Sequence, residues 1–272
     1  MRGPLAARIA DLVPASVSVS EGAIDGFADD LMACERRAIE RAVPKRRREF
    51  AAGRACAREA LAALGIRAFP ILPGGRRQPL WLPEIVGSIT HTDAYCAAAV
   101  ARANEVAALG IDVERPVSLG RNLVPAVCGE AELRRCELGA PRSFPCASLL
   151  FSIKESIFKA VYPLLGVELG FLDVVVEVDF RAGSFRVRSA RGDDGAAAAS
   201  LAVLEGAFAA GARNLLAAAW IAGPRSAPSS PVDSPAQKLL FSTRSQPDSA
   251  DSIVNGCSAK REDVLRCRRT GL

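Results

Sequence analysis

One histidine, His91, serves all 272 residues of the sequence, and that scarcity excludes much hydrolytic and metal chemistry. A Ser–His–Asp triad would have to run through His91, and no GxSxG turn offers it a serine. The GxxxxGK[ST] phosphate loop and the GxGxxG dinucleotide fingerprint are missing as well. Eight cysteines occur, Cys34, Cys56, Cys96, Cys128, Cys136, Cys146, Cys257 and Cys267. None forms a CxxC pair and none has a histidine at ligand spacing, so they read as reduced small hydrophobes rather than zinc ligands or a disulfide framework. No apolar run approaches the roughly 20 residues needed to cross a bilayer. Arg2, Arg8, Asp11 and Pro14 interrupt the first segment and leave no signal-peptide core. These absences predict a soluble, cytoplasmic protein with no membrane span.

What is present points to a packed core: half of the residues are hydrophobic and 24% are charged, a globular balance. The net charge of +5 is shared unevenly. Residues 224–272 carry eight Lys/Arg against five Asp/Glu and contribute +3, leaving only +2 for residues 1–223. That field is too weak to indicate a nucleic-acid partner. The stretch Pro224–Pro235 is mostly Pro and Ser, and 224–272 reads as a disordered tail.

Periodicity within 1–223 predicts helices over Ala28–Val43, Arg46–Leu64, Leu119–Cys136 (interrupted at Gly129) and Ala147–Leu165. Strands are predicted at Ile85–Thr90, Cys96–Ala101, Val106–Val113, Val174–Val178, Ser184–Ser189, Leu201–Phe208 and Leu215–Ile221. Helices followed by strands, twice over, predict an α+β fold of two similar α/β halves related by a pseudo-twofold, 1–110 and 111–223.

Four segments could carry chemistry. In GIDVERP (Gly110–Pro116), Asp112 and Glu114 end an apolar run and share a face of an extended chain, either as a solvated strand end or as paired ligands. In FSIKESIFKA (Phe151–Ala160), Ser152, Glu155, Lys159 and Tyr162 share one helical face, opposite the apolar face of Leu150, Ile153, Ile157, Val161 and Leu164. Glu155 and Lys159 could be no more than an exposed i,i+4 pair. Taken together, three carboxylates and a lysine suit Mg²⁺ beside a phosphate. In KRRREFAAGRACAREAL (Lys45–Leu61), Arg47, Arg54 and Arg58 fall close to one helical face, as a phosphate clamp or a solvated surface. Arg76 and Arg77, in the loop Pro73–Pro79, are further phosphate candidates. In GSITHTDAY (Gly87–Tyr95), Gly87, Ser88 and Thr90 stand beside His91 as a polar loop suited to a ligand.

RREFAAGRACAREAL, RQPLWLPEIVGSITHT, GIDVERP and FSIKESIFKAVYPL, in this order and spacing, resemble the 4′-phosphopantetheinyl transferase superfamily, in particular its enterobactin synthetase component D-like branch. The resemblance implies transfer of phosphopantetheine from coenzyme A to a serine of an apo acyl, peptidyl or aryl carrier protein, as in siderophore or secondary-metabolite synthesis. It implies an active site in a cleft between the halves, completed within one chain and so compatible with a monomer. Carried over by position, Asp112, Glu114 and Glu155 would hold Mg²⁺ against the coenzyme A pyrophosphate. Glu114, Glu155 and Lys159 would form the catalytic set: Lys159 assists the departing phosphate, and Glu114 or a metal-bound water is the base. Lys154 would line the same pocket. Arg46, Arg54 and His91, with Thr90 beside them, would grip the 3′-phosphate, and Arg76 or Arg77 would add a further basic contact. Two competing expectations are a metal-dependent phosphohydrolase or nuclease and a coenzyme A-binding module without catalysis. The first lacks the close acid-x-Lys arrangement many nucleases use, and the intact acids and Lys159 argue against the second.

Overall fold

Two 20-residue helices, each buried over more than half its length, pack against the two sheets. The computed structural model describes residues 7–190 and 195–224. The fold is α+β, as the sequence implies.

The first sheet joins β1 (Ser18–Ala23), β2 (Ile85–His91) and β3 (Tyr95–Arg102) in the antiparallel order β1-β3-β2. A short helix, α1 (Ala33–Ala38), precedes α2 (Pro44–Ala63). Pro44 starts α2 at a position where a missing N–H costs nothing. Gly65 follows the helix at φ +73, a conformation that favours glycine. α2 buries Ala52, Cys56, Ala57, Ala60 and Leu61 against Ile85, Cys96, Ala98 and Val100.

The second sheet contains β4 (Val106–Glu114), β5 (Val174–Asp179), β6 (Ser184–Ala190), β7 (Glu205–Ala210) and β8 (Leu215–Ala222), in the antiparallel order β4-β8-β7-β6-β5. Its helices are α3 (Val124–Val127), α4 (Glu130–Gly139), α5 (Cys146–Leu165) and α6 (Gly195–Ala202). α5 lies in the larger apolar cluster, with Leu150, Ile153, Ile157 and Val161 beside Ala217 and Ala219 of β8. A further cluster brings Ala97, Ala99 and Ala101 of β3 together with Leu109, Ile111 and Val113 of β4. From Leu109 on, past the irregularity between Val106 and Ala108, alternation along β4 sends its odd-numbered residues toward the first sheet. Ala108 belongs to the α5 cluster, and Asp112 meets α5 side chains.

Each half thus sets a long helix on an antiparallel sheet, but the sheets differ, with three strands and five. β4 runs through residue 110, where the sequence reading divides the halves, and belongs whole to the second sheet.

Several predicted elements differ from those observed. Ala28–Val43 is helical only over α1, because Arg36, Arg37 and Arg41 are exposed and the segment has no continuous apolar face to bury. Leu119–Cys136 is two helices, with Gly129 extended between them. Leu201 closes α6 instead of opening a strand, its side chain buried in the α5 cluster, and the strand begins at Glu205. β1 has no counterpart in the sequence reading. Apart from Pro224, the tail lies outside the described residues. Among the described residues no helix is long and apolar enough to cross a membrane.

Candidate active site

Gly110 determines how closely β4 and α5 cross. A Cβ there would lie 1.9 Å from the Ser156 carbonyl and 2.6 Å from the Ala160 nitrogen, so only glycine admits the helix backbone at this distance. Two residues on, the same face of β4 presents Asp112 to the α5 side chains that share the face read from the sequence. Asp112 Oδ1 accepts from Lys159 Nζ at 2.6 Å, and Oδ2 accepts from Ser152 Oγ at 2.9 Å. Lys159 also donates to the Ile111 carbonyl at 3.1 Å. Asp112 is only 5% exposed, so its charge is tolerable because the ammonium and the hydroxyls compensate it.

β2 completes the arrangement through hydroxyls instead of a backbone ladder. Ser88 Oγ accepts the Ile111 N–H at 3.0 Å and Thr90 Oγ1 accepts the Val113 N–H at 3.1 Å. The Thr90 hydroxyl in turn donates to Asp112 Oδ1 at 3.3 Å. The two rungs satisfy buried amides of β4 and fix the strand's end against the first sheet. Glu114 stands half-buried at that end, and Glu155 is buried on α5. The structure thus places Asp112 and Glu155 on facing elements, with Glu114 two residues along the strand. Among the described residues, no group of three or more His, Cys, Asp or Glu is drawn together closely enough to hold a metal ion; Asp112 has the Lys159 ammonium as its cation.

A second charged group forms where α2 meets the end of β2. Arg46 Nη1 donates to His91 Nε2 at 2.9 Å. Because arginine has only donors, that ring nitrogen accepts and the ring proton sits on Nδ1. The Glu49 carboxylate lies 3.5 Å from Arg46 and 3.8 Å from His91. At the rim Lys45 pairs with Asp93 at 2.6 Å, which raises the lysine's pKa and lowers the carboxyl's. Further along α2, Arg54 is 6% exposed and stacks 3.9 Å above the Phe50 ring. It donates Nε to the Ile71 carbonyl at 2.7 Å. Its two terminal amino groups have no hydrogen-bond partner among the described residues. Burial lowers its pKa to about 10, so it remains a cation at neutral pH.

Arg76 reaches from the Pro73–Pro79 loop to Glu168 of the second half, Nε to Oε1 at 2.6 Å. Arg77 holds the left-handed backbone position of that loop, φ 65. Arg47 turns back to the carbonyls of Glu40 and Ala42, and Arg58 is committed to Glu35 and Asp30. The α2 face built on Arg47, Arg54 and Arg58 is therefore divided among different partners.

Lys154 departs from the sequence expectation that it lines the coenzyme pocket. It is fully buried, and its ammonium donates to Val127 O (3.0 Å), Phe171 O (2.8 Å) and Glu132 Oε2 (2.8 Å). All three of its donors are used inside the second half. The adjacent positions Lys154 and Glu155 project about 100° apart on the helix, which explains how one turns inward while the other lies on the Asp112 side. The sequence puts Ser152 on the Glu155–Lys159 face and Ser88 in a polar loop suited to a ligand, without giving either a partner on β4. Ser152's place on the Glu155–Lys159 face and Ser88's alternation with Thr90 are the signals that point to them.

Two family models match the chain: the 4′-phosphopantetheinyl transferase N-terminal domain over residues 34–101, and the 4′-phosphopantetheinyl transferase superfamily over residues 108–214. The 4′-phosphopantetheinyl transferase Svp of Streptomyces mobaraensis is 41% identical over 223 residues, covering 79% of this chain and 90% of the relative. The chain belongs to the 4′-phosphopantetheinyl transferase superfamily. The 4′-phosphopantetheinyl transferase Npt of Nocardia iowensis is 36% identical over 178 residues, 65% of this chain and 79% of its own. Enterobactin synthase component D of Escherichia coli K12 is 36% identical over 138 residues, 50% and 63% of the two chains. The protein is a 4′-phosphopantetheinyl transferase. The N-terminal match spans the transferase's Arg46, Arg54, Arg76, Thr90 and His91, and the second spans Asp112, Glu114, Lys154, Glu155 and Lys159.

Proposed function

We propose that this transferase moves phosphopantetheine from coenzyme A to the serine hydroxyl of an apo acyl, peptidyl or aryl carrier protein, with Mg²⁺ at Asp112, Glu114 and Glu155. The observation that carries the reading is the buried Asp112 carboxylate, held from three sides by Lys159, Ser152 and Thr90 where β2, β4 and α5 meet. A carboxylate so confined is oriented before any ligand arrives.

The donor type suits a hard divalent cation. All three candidate ligands are carboxylates, the oxygen donors such an ion prefers, and they would have to draw closer together to hold it. Bound there, Mg²⁺ would supply positive charge against the pyrophosphate oxygens. The protein's own groups do the rest. Ser152 and Thr90 keep Asp112 in one rotamer. Lys159 is the ammonium placed to balance charge on the departing phosphate. Glu114, at the open end of β4, receives the serine proton. The serine oxygen forms the new bond to phosphorus as the bond to the nucleotide half of coenzyme A breaks, and that half leaves with the electron pair. Arg54 and Arg46, with His91, supply forked donors for the 3′-phosphate, and Arg76 supplies a further cation. The six described cysteines are free thiols, which supports a reducing, cytoplasmic setting.

The test is to incubate the protein with coenzyme A and apo carriers of several classes, with Mg²⁺ or with a chelator, and to weigh the carriers. One phosphopantetheinyl group is expected per carrier with Mg²⁺, none with chelator, and recovery on adding the metal back. Equal labelling in chelator would sink the metal assignment. Absence of labelling on every carrier class would sink the carrier assignment.

A further inference from the structure

Beside Arg54 lies a buried ionic network that catalysis at Asp112 does not explain. Glu35 of α1 is fully buried, and four hydrogen bonds from three donor groups engage its oxygens. Oε1 accepts from Arg58 Nη1 at 3.1 Å and from the Ile71 N–H at 2.8 Å. Oε2 accepts from Arg58 Nη1 at 3.1 Å and from the Met32 N–H at 2.9 Å. Arg58 continues through Nη2 to Asp30 Oδ1 at 2.6 Å and to the Asp30 carbonyl at 3.3 Å.

Ile71 is thereby held at both backbone groups: its N–H by Glu35, its carbonyl by Arg54. It also leads into the loop that carries Arg76. That loop is closed by Leu80 N–H to Leu72 O at 2.9 Å and by Gly74 N–H to Gln78 O at 2.7 Å, and the Arg76 N–H donates to Gln78 Oε1 at 3.0 Å. One carboxylate thus links α1, α2 and the start of the loop.

We propose that Glu35 is a positioning residue for the coenzyme end of the site: through Arg58 and Ile71 it fixes the orientation of the Arg54 guanidinium and the base of the Arg76 loop. The proposal rests on the assignment of Arg54 to the 3′-phosphate. A buried ion pair adds little net stability over apolar side chains of similar volume, so what it orients is the better account of its presence. Arg54 has one hydrogen bond, from Nε; stacking on Phe50 sets the plane of the guanidinium, and its direction within that plane follows the Ile71 carbonyl. The Glu35 carboxylate also opposes the lowering that burial imposes on Arg54.

The test compares coenzyme A with dephospho-coenzyme A, which lacks the 3′-phosphate, as substrates for the full chain with an apo carrier. An amide keeps one acceptor oxygen but loses the charge and turns an NH2 toward Arg58 or one of the two amides, and this weaker hold on Ile71 is expected to raise the Glu35→Gln KM for coenzyme A about tenfold. kcat should stay within about twofold, as for an interaction made equally before and during reaction. The KM for dephospho-coenzyme A should not change. Arg54→Ala should show the same selective loss. Equal rises in both KM values for Glu35→Gln, or a lower Tm with both KM values unmoved, would overturn the proposal. Should that variant not fold, Arg58→Lys, which keeps a cation beside Glu35 but loses the reach to Asp30, should show a smaller selective loss; no selectivity there overturns the proposal too. The two assignments fail differently. A normal substrate ratio in Arg54→Ala overturns the phosphate assignment and the Glu35 proposal together, whereas a selective loss in Arg54→Ala alone overturns only Glu35.

Discussion

Lys154 and Asp112 show how neighbouring charges in one small region take different tasks. Lys154 has its three donors saturated by Val127, Phe171 and Glu132, whereas Asp112 is held by side chains that a ligand could displace. Burial lowers the Lys154 pKa, and the Glu132 carboxylate opposes that shift. Lys154→Met is therefore expected to cost about 3–5 kcal/mol in urea denaturation, because Glu132 is left buried and unpaired. Adding Glu132→Gln should restore most of that stability, since the introduced amide oxygen can still accept the Val176 N–H that Glu132 takes at 2.8 Å. Carrier labelling should return with it. A stable double variant that cannot label a carrier would place Lys154 at the coenzyme after all. The sequence did not reveal this division: KE reads as two charges on one helix, and only tertiary partners 17 to 27 residues away tell them apart.

At the scale of elements, the crossing of β4, α5 and β2 builds the proposed site, and two substitutions probe it. Gly110→Ala pushes a methyl into the α5 backbone and is expected to cost about 3 kcal/mol, the upper end of overpacking, with loss of transfer. Thr90→Val keeps the shape but leaves the Val113 N–H without its acceptor and Asp112 with two donors instead of three. Its expected cost is about 1–3 kcal/mol by denaturation, with a fall in kcat. Unchanged stability would mean that the hydroxyl rung carries no weight. Much of this level was legible. α2, α5, β2, β3 and β4 lie within a few residues of their predicted bounds because their apolar patterns are long and periodic. β1 was not, for a physical reason: Ser18, Ser20 and Glu21 are polar, and their side chains bond to Ala60, Glu59 and the Ile9 N–H instead of following an apolar alternation. α6 was hidden although alanine is the strongest helix former, because GAAAASLA is too short and uniform to show an apolar period. Thr90 was read as a ligand contact; its hydroxyl bonds both Val113 and Asp112, a role that no spacing within β2 could disclose.

Across the whole molecule, the basic groups assigned to coenzyme A lie on the first half, and the carboxylates with Lys159 lie on the second. Thr90–Asp112 and Arg76–Glu168 join the two across their boundary. The proposed reaction requires both sets in register, and under that proposal the hydroxyl rungs between the sheets would serve function as well as structure. The central claim is that Asp112 carries the transfer chemistry and is dispensable for the fold. The most direct test weighs an apo carrier after incubation with coenzyme A, Mg²⁺ and either the wild-type chain or Asp112→Asn, with Tm measured on both. A full phosphopantetheinyl gain with wild type, and none with a folded Asp112→Asn, is the expected result; labelling by Asp112→Asn at the wild-type rate would contradict the account.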